Sequence, residues 1–203
     1  MPIESEHRPT LVVGISAVAG GGKTALAARL AEKLPNAVAL FFDDYEESSV
    51  MPESFRSWFE EGADYDAFVT PLFTEHIQLL KDGMAVTSPV TGARIGPAKY
   101  IVVDAPLGRV HTDSGRYFDF MVFIDTPLDV AMARRLLRDL SLSNPDSLLD
   151  TVESLKAETE SYLGGARRIY TSFVERVKPT CDLVVDGSLT VDEMASWVVS
   201  RLE

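Results

Sequence analysis

The chain has 203 residues, 46% of them hydrophobic, and this length and composition fit one globular domain over residues 1–203. Its formal net charge of −12 argues against a nucleic-acid partner, because contacts to a phosphate backbone need a basic surface. With one cysteine, no apolar signal core and no apolar run near the roughly 18 residues of a membrane span, we expect a cytoplasmic protein without membrane contact, in which residues 1–9 form a flexible lead-in.

Strand-like and helix-like stretches alternate along the chain, which favours a parallel α/β sheet. The apolar stretches that we interpret as strands are residues 10–16, 37–42, 100–104, 120–125 and 181–186. The patterns that predict helices lie at 25–34, 67–82, 127–140, 146–177 and 191–202. We expect Gly164 and Gly165 to break the fourth of these helices.

Two irregular segments interrupt this alternation. Residues 45–65 are acidic and aromatic without a clear period, and residues 84–98 have the glycines and prolines of a loop or hairpin. Irregular segments at the carboxyl edge of a parallel sheet are where substrate sites tend to be built. We therefore expect both segments to lie near a functional site.

A glycine-rich loop joins the first strand to the first helix. Its backbone N–H groups can turn inward because glycine has no Cβ atom, and the helix N-terminus adds partial positive charge. We expect this loop to cradle the phosphates of ATP, with Lys23 reaching the outer phosphates and the Thr24 hydroxyl binding Mg²⁺. The expected nucleotide-binding residues are Ala19, Gly20, Gly21, Gly22, Lys23, Thr24 and Ala25.

The loop departs from the usual P-loop pattern at one position. That pattern begins with a glycine that eases a tight turn, and here the position is Ala17. We expect the additional glycines at 20 and 21 to compensate.

Two of the predicted strands end in carboxylates that would face the triphosphate. Asp43 and Asp44 follow the second strand, where a carboxylate can accept a proton from an attacking hydroxyl or help to hold Mg²⁺, although Asp is also common in turns. Asp104 ends the third strand, which is the Walker-B arrangement. We expect Thr24 and Asp104 together to hold the metal.

Arginines cluster on the predicted helix after the fourth strand. Arg134 and Arg138 are four residues apart and share a face, and an arginine near a phosphate can stabilise charge on the transferring group. We expect these two to do so. The alternative is a solvated face that pairs with Asp129 or Asp139.

Other polar and aromatic residues have weaker signals. Asp64 and Asp66 flank an aromatic, where they would either bind the hydroxyls of a sugar or cap the following helix. We expect Trp58 to be a packing residue, His111 to be a surface residue and Cys181 to be a packed thiol.

The order of these motifs resembles that of the uridine kinase and nicotinamide riboside kinase group of P-loop small-molecule kinases. The resemblance spans nearly the whole chain and is carried by Gly14–Thr24, Leu34–Asn36, Phe42–Tyr45, Tyr65–Asp66, Phe120–Asp125, Arg134–Asp139 and Asp182–Gly187. It implies a three-layer P-loop NTPase fold, in which helices flank a parallel five-stranded sheet. It also implies transfer of the γ-phosphoryl group of ATP to a hydroxyl of a small metabolite such as a nucleoside or ribosyl compound.

The resemblance assigns roles to individual residues. It makes Asp43 the general base towards the substrate hydroxyl, and it favours Asp66 over Asp64 as the residue that holds ribose hydroxyls. From its position beside Asp43, we expect Asp44 to be a second candidate on the substrate side. Residues 88–92 match the substrate hairpin of these kinases only loosely and lack its Tyr and His. We expect Arg94 and Arg109 to supply substrate-side charge instead.

Two further departures concern the acceptor pocket and the lid. The third strand ends in Asp104-Ala-Pro-Leu-Gly108 where these kinases usually have Glu-Gly, and no arginine-bearing lid continuation follows Asp139. A P-loop ATPase or a nucleotide-dependent regulatory module without a small-molecule acceptor is therefore the alternative function. A GTPase is disfavoured, because neither Asn36 nor Asn144 is followed by the Lys of a guanine-reading motif.

Overall fold

The computed structural model describes residues 10–142 and 148–202, so the expected lead-in at residues 1–9 lies outside the described residues. The strands are β1 (Leu11–Ser16), β2 (Ala37–Leu40), β3 (Val86–Thr87), β4 (Arg94–Ile95), β5 (Tyr100–Asp104), β6 (Phe120–Asp125) and β7 (Leu183–Asp186). The helices are α1 (Lys23–Lys33), α2 (Phe55–Glu60), α3 (Pro71–Lys81), α4 (Thr112–Gly115), α5 (Leu128–Leu142), α6 (Leu148–Ser161), α7 (Arg167–Val177) and α8 (Val191–Leu202).

Five parallel strands form the central sheet in the order β2-β5-β1-β6-β7. Every residue of β5 is buried, as is typical of a parallel strand with both faces covered. On one face Val13 and Val102 pack among residues of α1 and α8, and on the other Val12 and Ile101 pack among residues of α3. These two cores between sheet and helices confirm the predicted three-layer α/β fold.

The position of β1 in this order determines where the site can form. Because β1 lies between β5 and β6, the glycine loop that follows it emerges beside the end of β5, with β2 one strand further. The carboxyl ends of parallel strands meet at one edge of the sheet. The chain therefore brings the segments after β1, β2 and β5 to the same edge.

Two predicted helix boundaries differ from the structure in an informative way. The helix predicted at 67–82 begins only at Pro71, since proline is favoured at the first helical position, where its missing N–H costs nothing. Between α6 and α7 lies a wide helical turn, Tyr162–Ala166, in which Gly165 has a φ of 150°. The predicted break at Gly164 and Gly165 is thus confirmed, while residues 146–147 of that prediction lie outside the described residues.

The irregular segments adopt short ordered pieces. Residues 84–98 contain the antiparallel hairpin of β3 and β4, as predicted. The aperiodic stretch after β2 begins with a 3₁₀ segment, Phe42–Ser48, and continues through α2 to a bridge between Val50 and Val69. Trp58 packs edge-to-face on Tyr65 and Phe68, so its predicted packing role is confirmed.

His111 is a buried residue, and the prediction that it lies on the surface is wrong. Its side chain is 2% exposed, with Nδ1 2.7 Å from the Ser114 hydroxyl and Nε2 2.9 Å from the Phe68 carbonyl oxygen. Burial of a polar ring is tolerated because both nitrogens have hydrogen-bond partners. The serine three residues further along was the signal in the sequence.

Cys181 is partly buried, with Sγ 3.5 Å from the Val177 carbonyl oxygen. Burial raises the pKa of this thiol to about 11. These properties agree with the packed thiol that we expected. Within the described residues, no helix combines the length and the apolar character needed to cross a bilayer.

A buried polar pair links the 3₁₀ segment to α3. The Tyr45 hydroxyl lies 2.9 Å from Nδ1 of His76, and their side chains are buried. Burial lowers the pKa of His76 below its ordinary value, with Glu75 acting in the opposite direction, and burial likewise raises the pKa of Tyr45. The folded state therefore favours the neutral imidazole more strongly than the unfolded chain does.

This pair predicts how stability depends on pH. A histidine whose folded pKa is depressed stabilises the fold fully above its unfolded pKa of about 6.5, and that contribution is lost as the pH falls through the folded pKa. We expect the difference in free energy of unfolding between the wild-type protein and His76→Asn to be constant above about pH 7.5 and to shrink below pH 6.5. Urea unfolding at several pH values measures it, and a difference that stays constant down to pH 5 would contradict the assignment.

Candidate functional site

The loop between β1 and α1 turns on two glycines. Gly20 and Gly22 have φ angles of 79° and 99°, in the left-handed region that glycine tolerates best, and the Gly21 N–H donates to the Val18 carbonyl over 2.9 Å. Among the described non-glycine residues, only Asn36 and Ala63 have a positive φ, so Ala17 does not need the conformational freedom of glycine. In the usual pattern the first glycine eases the turn, and here Gly20 and Gly22 make that turn instead.

The loop is packed tightly against α5 and the residues before it. The Thr126 hydroxyl donates to the Gly21 carbonyl over 3.0 Å. A Cβ atom at Gly20 would lie 2.3 Å from the Ala131 carbonyl oxygen and 2.7 Å from Cγ of Arg135. These contacts hold the loop in one conformation, as expected for a cradle that is formed before its ligand arrives.

Thr24 and Asp104 join the start of α1 to the end of β5. The Thr24 hydroxyl donates to Oδ2 of Asp104 over 2.6 Å, and Asp104 is 2% exposed. Burial raises the pKa of Asp104, the Lys23 ammonium group and the Thr24 hydrogen bond oppose this increase, and the negative charge of Asp43 adds to it. Lys23 and Asp43 are therefore close enough to Asp104 for their charges to act on it.

The second oxygen of Asp104 suggests what the site can hold. Oδ1 is buried and has no hydrogen-bond partner among the residues that the structure describes. A buried carboxylate oxygen without a partner is costly, and a bound cation would satisfy it. A hydroxyl and one carboxylate beside a phosphate cradle fit Mg²⁺, which is usually held by one or two carboxylates together with substrate phosphates.

A metal site built from protein groups alone is not found in the described part of the chain. There, no group of three or more His, Cys, Asp or Glu side chains is arranged to hold a metal ion. The site therefore fits a metal shared with a phosphate ligand better than a resident metal with a complete protein cage.

Asp43 and Asp44 lie on the 3₁₀ segment Phe42–Ser48. Asp43 is exposed, and its negative charge raises the pKa of Asp104. Asp44 is partly buried, and its charge raises the pKa of the adjacent Tyr45. The structure thus brings Asp43 near the carboxylate at the end of β5. This arrangement favours Asp43 as the acid nearest the phosphates.

The arginine that packs against the glycine loop is Arg135. It forms an ion pair with Glu158, and its guanidinium donates to the Tyr170 hydroxyl over 2.6 Å. The sequence pattern favours Arg134 and Arg138 instead. The signal for Arg135 was its position one helical turn after Ala131, whose carbonyl oxygen faces Gly20.

Arg134 and Arg138 are engaged elsewhere. Arg134 donates to the Gly187 carbonyl over 3.1 Å, beside the close approach of Gly187 to Thr126. Arg138 pairs with its neighbour Asp139 over 3.0 Å, and its side chain is 62% exposed. The structure therefore gives Arg138 the solvated, locally paired arrangement that the sequence left as the alternative.

Asp66 has acquired local partners. Its two oxygens accept hydrogen bonds from the N–H and the hydroxyl of Thr112, both over 2.7 Å, and these bonds lower its pKa. Asp64 accepts from the Asp66 N–H and so caps the short 3₁₀ turn Tyr65–Ala67, whereas the predicted capping of the following helix is not seen, since α3 begins only at Pro71. Asp66 thus anchors the start of α4, and each of its oxygens retains a lone pair.

The two basic residues expected on the substrate side have different positions. Arg94 is exposed on β4 of the hairpin. Arg109 pairs with Asp182 over 2.7 Å and donates to the Thr180 carbonyl, at the amino end of β7 and thus at the edge of the sheet opposite the glycine loop. The partly buried guanidinium of Arg109 thus takes its counter-charge from Asp182, and its role as a substrate-binding residue stays a prediction.

Comparison with known proteins gives clear relatives in sequence. No protein-family model matches the chain. The chain is 28% identical over 185 residues to the uridine kinase of Borreliella burgdorferi strain ZS7, covering 86% of this chain and 85% of that protein. It is 26% identical over 194 residues to the uridine kinase of Salmonella paratyphi B, covering 86% of each. These relatives confirm the resemblance that the motifs indicated.

Solved structures with similar backbones are more distant. A structure named as that of a possible uridine kinase from Bacillus stearothermophilus covers 90% of this chain and 92% of its own, with a TM-score of 0.48 and 18% identity. Shikimate kinase from Bacteroides thetaiotaomicron covers 95% and 98%, with a TM-score of 0.45 and 16% identity. The assignment of the fold rests on the strand order and the glycine loop of the chain itself.

The packing of the loop predicts the effect of a single methyl group. Gly20→Ala would require a positive φ at a non-glycine residue and would press its Cβ against the Ala131 carbonyl oxygen. We expect a thermal midpoint several degrees lower, as for about 1–3 kcal/mol of strain, and at least a 10-fold loss of ATP affinity. Gly96→Ala is the matched control, because a Cβ there meets nothing within 4 Å and φ is not positive. Equal behaviour of the two variants in thermal unfolding and calorimetry would refute the tight packing of the loop.

Proposed function

We propose that this protein transfers the γ-phosphoryl group of ATP to a hydroxyl group of a small metabolite, and that a nucleoside such as uridine is the acceptor to test first. The observation that carries the proposal is the meeting of the glycine loop, Lys23, Thr24, Asp104 and Asp43 at one edge of the sheet. Curated relatives named uridine kinase, aligned over 86% of the chain, support the choice of acceptor.

The donor side of the reaction follows from the loop. Its backbone N–H groups and the N-terminus of α1 bind the phosphates of ATP, and Lys23 contacts the outer ones. Thr24 and Asp104 hold Mg²⁺, which, when bound, neutralises charge on the β- and γ-phosphate oxygens. The protein contributes position and electrostatics more than covalent chemistry.

The acceptor side depends on Asp43. Its exposed carboxylate accepts the proton of the acceptor hydroxyl as that oxygen attacks the γ-phosphorus, and Asp44 is the second candidate for this role. Asp66, through its remaining lone pairs, and Arg94, on the hairpin, orient the acceptor. Arg134 and Arg138 were predicted to stabilise charge on the transferring group, and Arg135 joins them as the arginine that packs on the loop.

The partners and compartment follow from composition. A net charge of −12 argues against a nucleic-acid partner, whereas a small anionic ligand can bind where Lys and Arg are concentrated in one cleft. We expect no membrane contact. A single cysteine supports a reducing cytoplasm.

The proposal predicts acceptor-dependent turnover that requires Asp43. Wild-type protein with ATP, Mg²⁺ and a panel of nucleosides, ribosyl compounds and non-nucleoside alcohols should release ADP only when the correct acceptor is present. Asp43→Asn should lower kcat by about 100-fold or more, as for a lost general base, with ATP affinity nearly unchanged. Asp44→Asn is the matched control and should lose much less.

Other outcomes separate the alternatives. Release of ADP without any acceptor would identify an ATPase, and ATP binding without turnover would identify a nucleotide-binding module. Equal loss of kcat in Asp43→Asn and Asp44→Asn would remove the specific role of Asp43.

The metal assignment makes a separate prediction. Asp104→Asn replaces the buried carboxylate by an amide, which is a poorer ligand for Mg²⁺. We expect the Mg²⁺ concentration for half-maximal ATP turnover to rise by about 10-fold or more, since a charged ligand is lost. Asp186→Asn, at the exposed end of β7, is the control and should leave it unchanged. An unaltered Mg²⁺ requirement in Asp104→Asn would exclude Asp104 as a ligand.

A further inference from the structure

The segment that carries Asp43 and Asp44 is anchored to the fold by its two buried aromatic residues, Phe42 and Tyr45. Phe42 and Tyr45 are three residues apart in the 3₁₀ segment, so their side chains lie on the same side. Both pack edge-to-face on Phe73 of α3, with ring centroids 5.2 and 5.1 Å apart. The acid pair lies between these two aromatic anchors.

Tyr45 also makes polar contacts that fix the segment. Its side chain is 1% exposed, and its hydroxyl lies 2.9 Å from Nδ1 of His76. Its carbonyl oxygen accepts the hydroxyls of Ser48 and Ser49 over 2.9 and 2.8 Å. The side chain of Tyr45 therefore links the segment to α3, and its backbone carbonyl binds the hydroxyls at the end of the segment.

Packing alone does not require the hydrogen bond between Tyr45 and His76. The ring of Tyr45 would fill the same space without a hydroxyl, whereas a buried hydroxyl and a buried imidazole nitrogen are both costly unless they are paired. Such a pair contributes direction, because a hydrogen bond is sensitive to distance and angle in a way that ring packing is not. It restricts the rotation of the segment about its contact with Phe73.

We infer that Tyr45 and His76 are positioning residues, whose mutual hydrogen bond holds the 3₁₀ segment so that the Asp43 carboxylate faces the end of β5. The inference rests on the proposed function, since it assigns Asp43 to the transferred proton. Neither residue touches the reacting atoms. They act by orienting the backbone that carries the acid.

The consequence for rate follows from geometry. A shift of about 1 Å in a catalytic group can cost about 100-fold in rate, although binding of a ligand held by other residues is unaffected. Loss of the hydrogen bond should therefore lower kcat without changing the affinity for ATP, which the glycine loop and Lys23 bind. A purely structural role would lower thermal stability and leave kcat per folded molecule unchanged.

The chain offers a matched control. The Tyr117 hydroxyl donates to Oε1 of Gln78 over 2.9 Å, so this bond also joins a tyrosine to a side chain of α3, away from the 3₁₀ segment. Tyr117→Phe removes a tyrosine hydroxyl bond to the same helix, although this bond is exposed and the Tyr45 bond is buried. It should change neither kcat nor the motion of residues 42–49.

The experiment compares Tyr45→Phe, His76→Leu, His76→Asn and Tyr117→Phe in the full chain. Two readouts are taken: kcat and KM with the acceptor found for the wild type, and amide hydrogen exchange of residues 42–49 relative to the rest of the protein. Tyr45→Phe and His76→Leu should each lower kcat by about 10- to 100-fold and accelerate exchange in that segment alone. His76→Asn, which can place an acceptor oxygen near the position of Nδ1, should recover much of the rate.

The outcomes separate this inference from the proposed function. If the wild type has no acceptor-dependent turnover, the proposed function fails, and the exchange data alone decide whether the bond holds the segment. If Tyr45→Phe retains wild-type kcat and exchange, or if Tyr117→Phe loses as much as Tyr45→Phe, the positioning role is overturned. Because the two residues share one bond, the double variant Tyr45→Phe/His76→Leu should lose less activity than the sum of the two single losses. Fully additive losses would also overturn the positioning role.

Discussion

The hydrogen bond between Thr24 and Asp104 connects the parts of the molecule that form the candidate site. It joins the first turn of the helix after the glycine loop to the end of the neighbouring strand, over 2.6 Å. The bond is possible because β1 and β5 are adjacent and parallel, so that the loop after β1 and the last residue of β5 meet at one edge. A different strand order would separate the phosphate cradle from the carboxylate that faces it.

Burial of Asp104 places a constraint on its surroundings. A carboxylate that is 2% exposed is unfavourable unless hydrogen bonds and nearby positive charge support it. Thr24 and Lys23 supply part of this support, and Oδ1 remains without a protein partner among the described residues. Burying this carboxylate lowers the stability of the fold, and local costs of this kind are found at functional sites.

The sequence allowed most of the framework to be predicted, because each signal was local. The glycine loop, the apolar strands and the carboxylates after them are each made of residues adjacent in sequence, so their structure follows from local composition. Contacts between distant segments were harder to predict. No residue near Arg109 in the sequence indicates that it pairs with Asp182, and none near His111 indicates its contact with the Phe68 carbonyl oxygen. Which of Arg134, Arg135 and Arg138 packs on the loop was hard to predict for a related reason, since it depends on which helix face meets the loop. That information lies in the packing of α5 on Gly20, which a single helical period does not contain.

The most direct test of the account is calorimetric titration of ATP into the wild-type protein and into Lys23→Ala, each with Mg²⁺ and with a chelator. The account predicts saturable binding to the wild type that is strengthened by Mg²⁺ and reduced by about 10-fold or more in Lys23→Ala, because the lysine meets the outer phosphates. Absence of binding to the wild type, or identical binding to both proteins, would contradict the claim that residues 17–24 enclose a triphosphate.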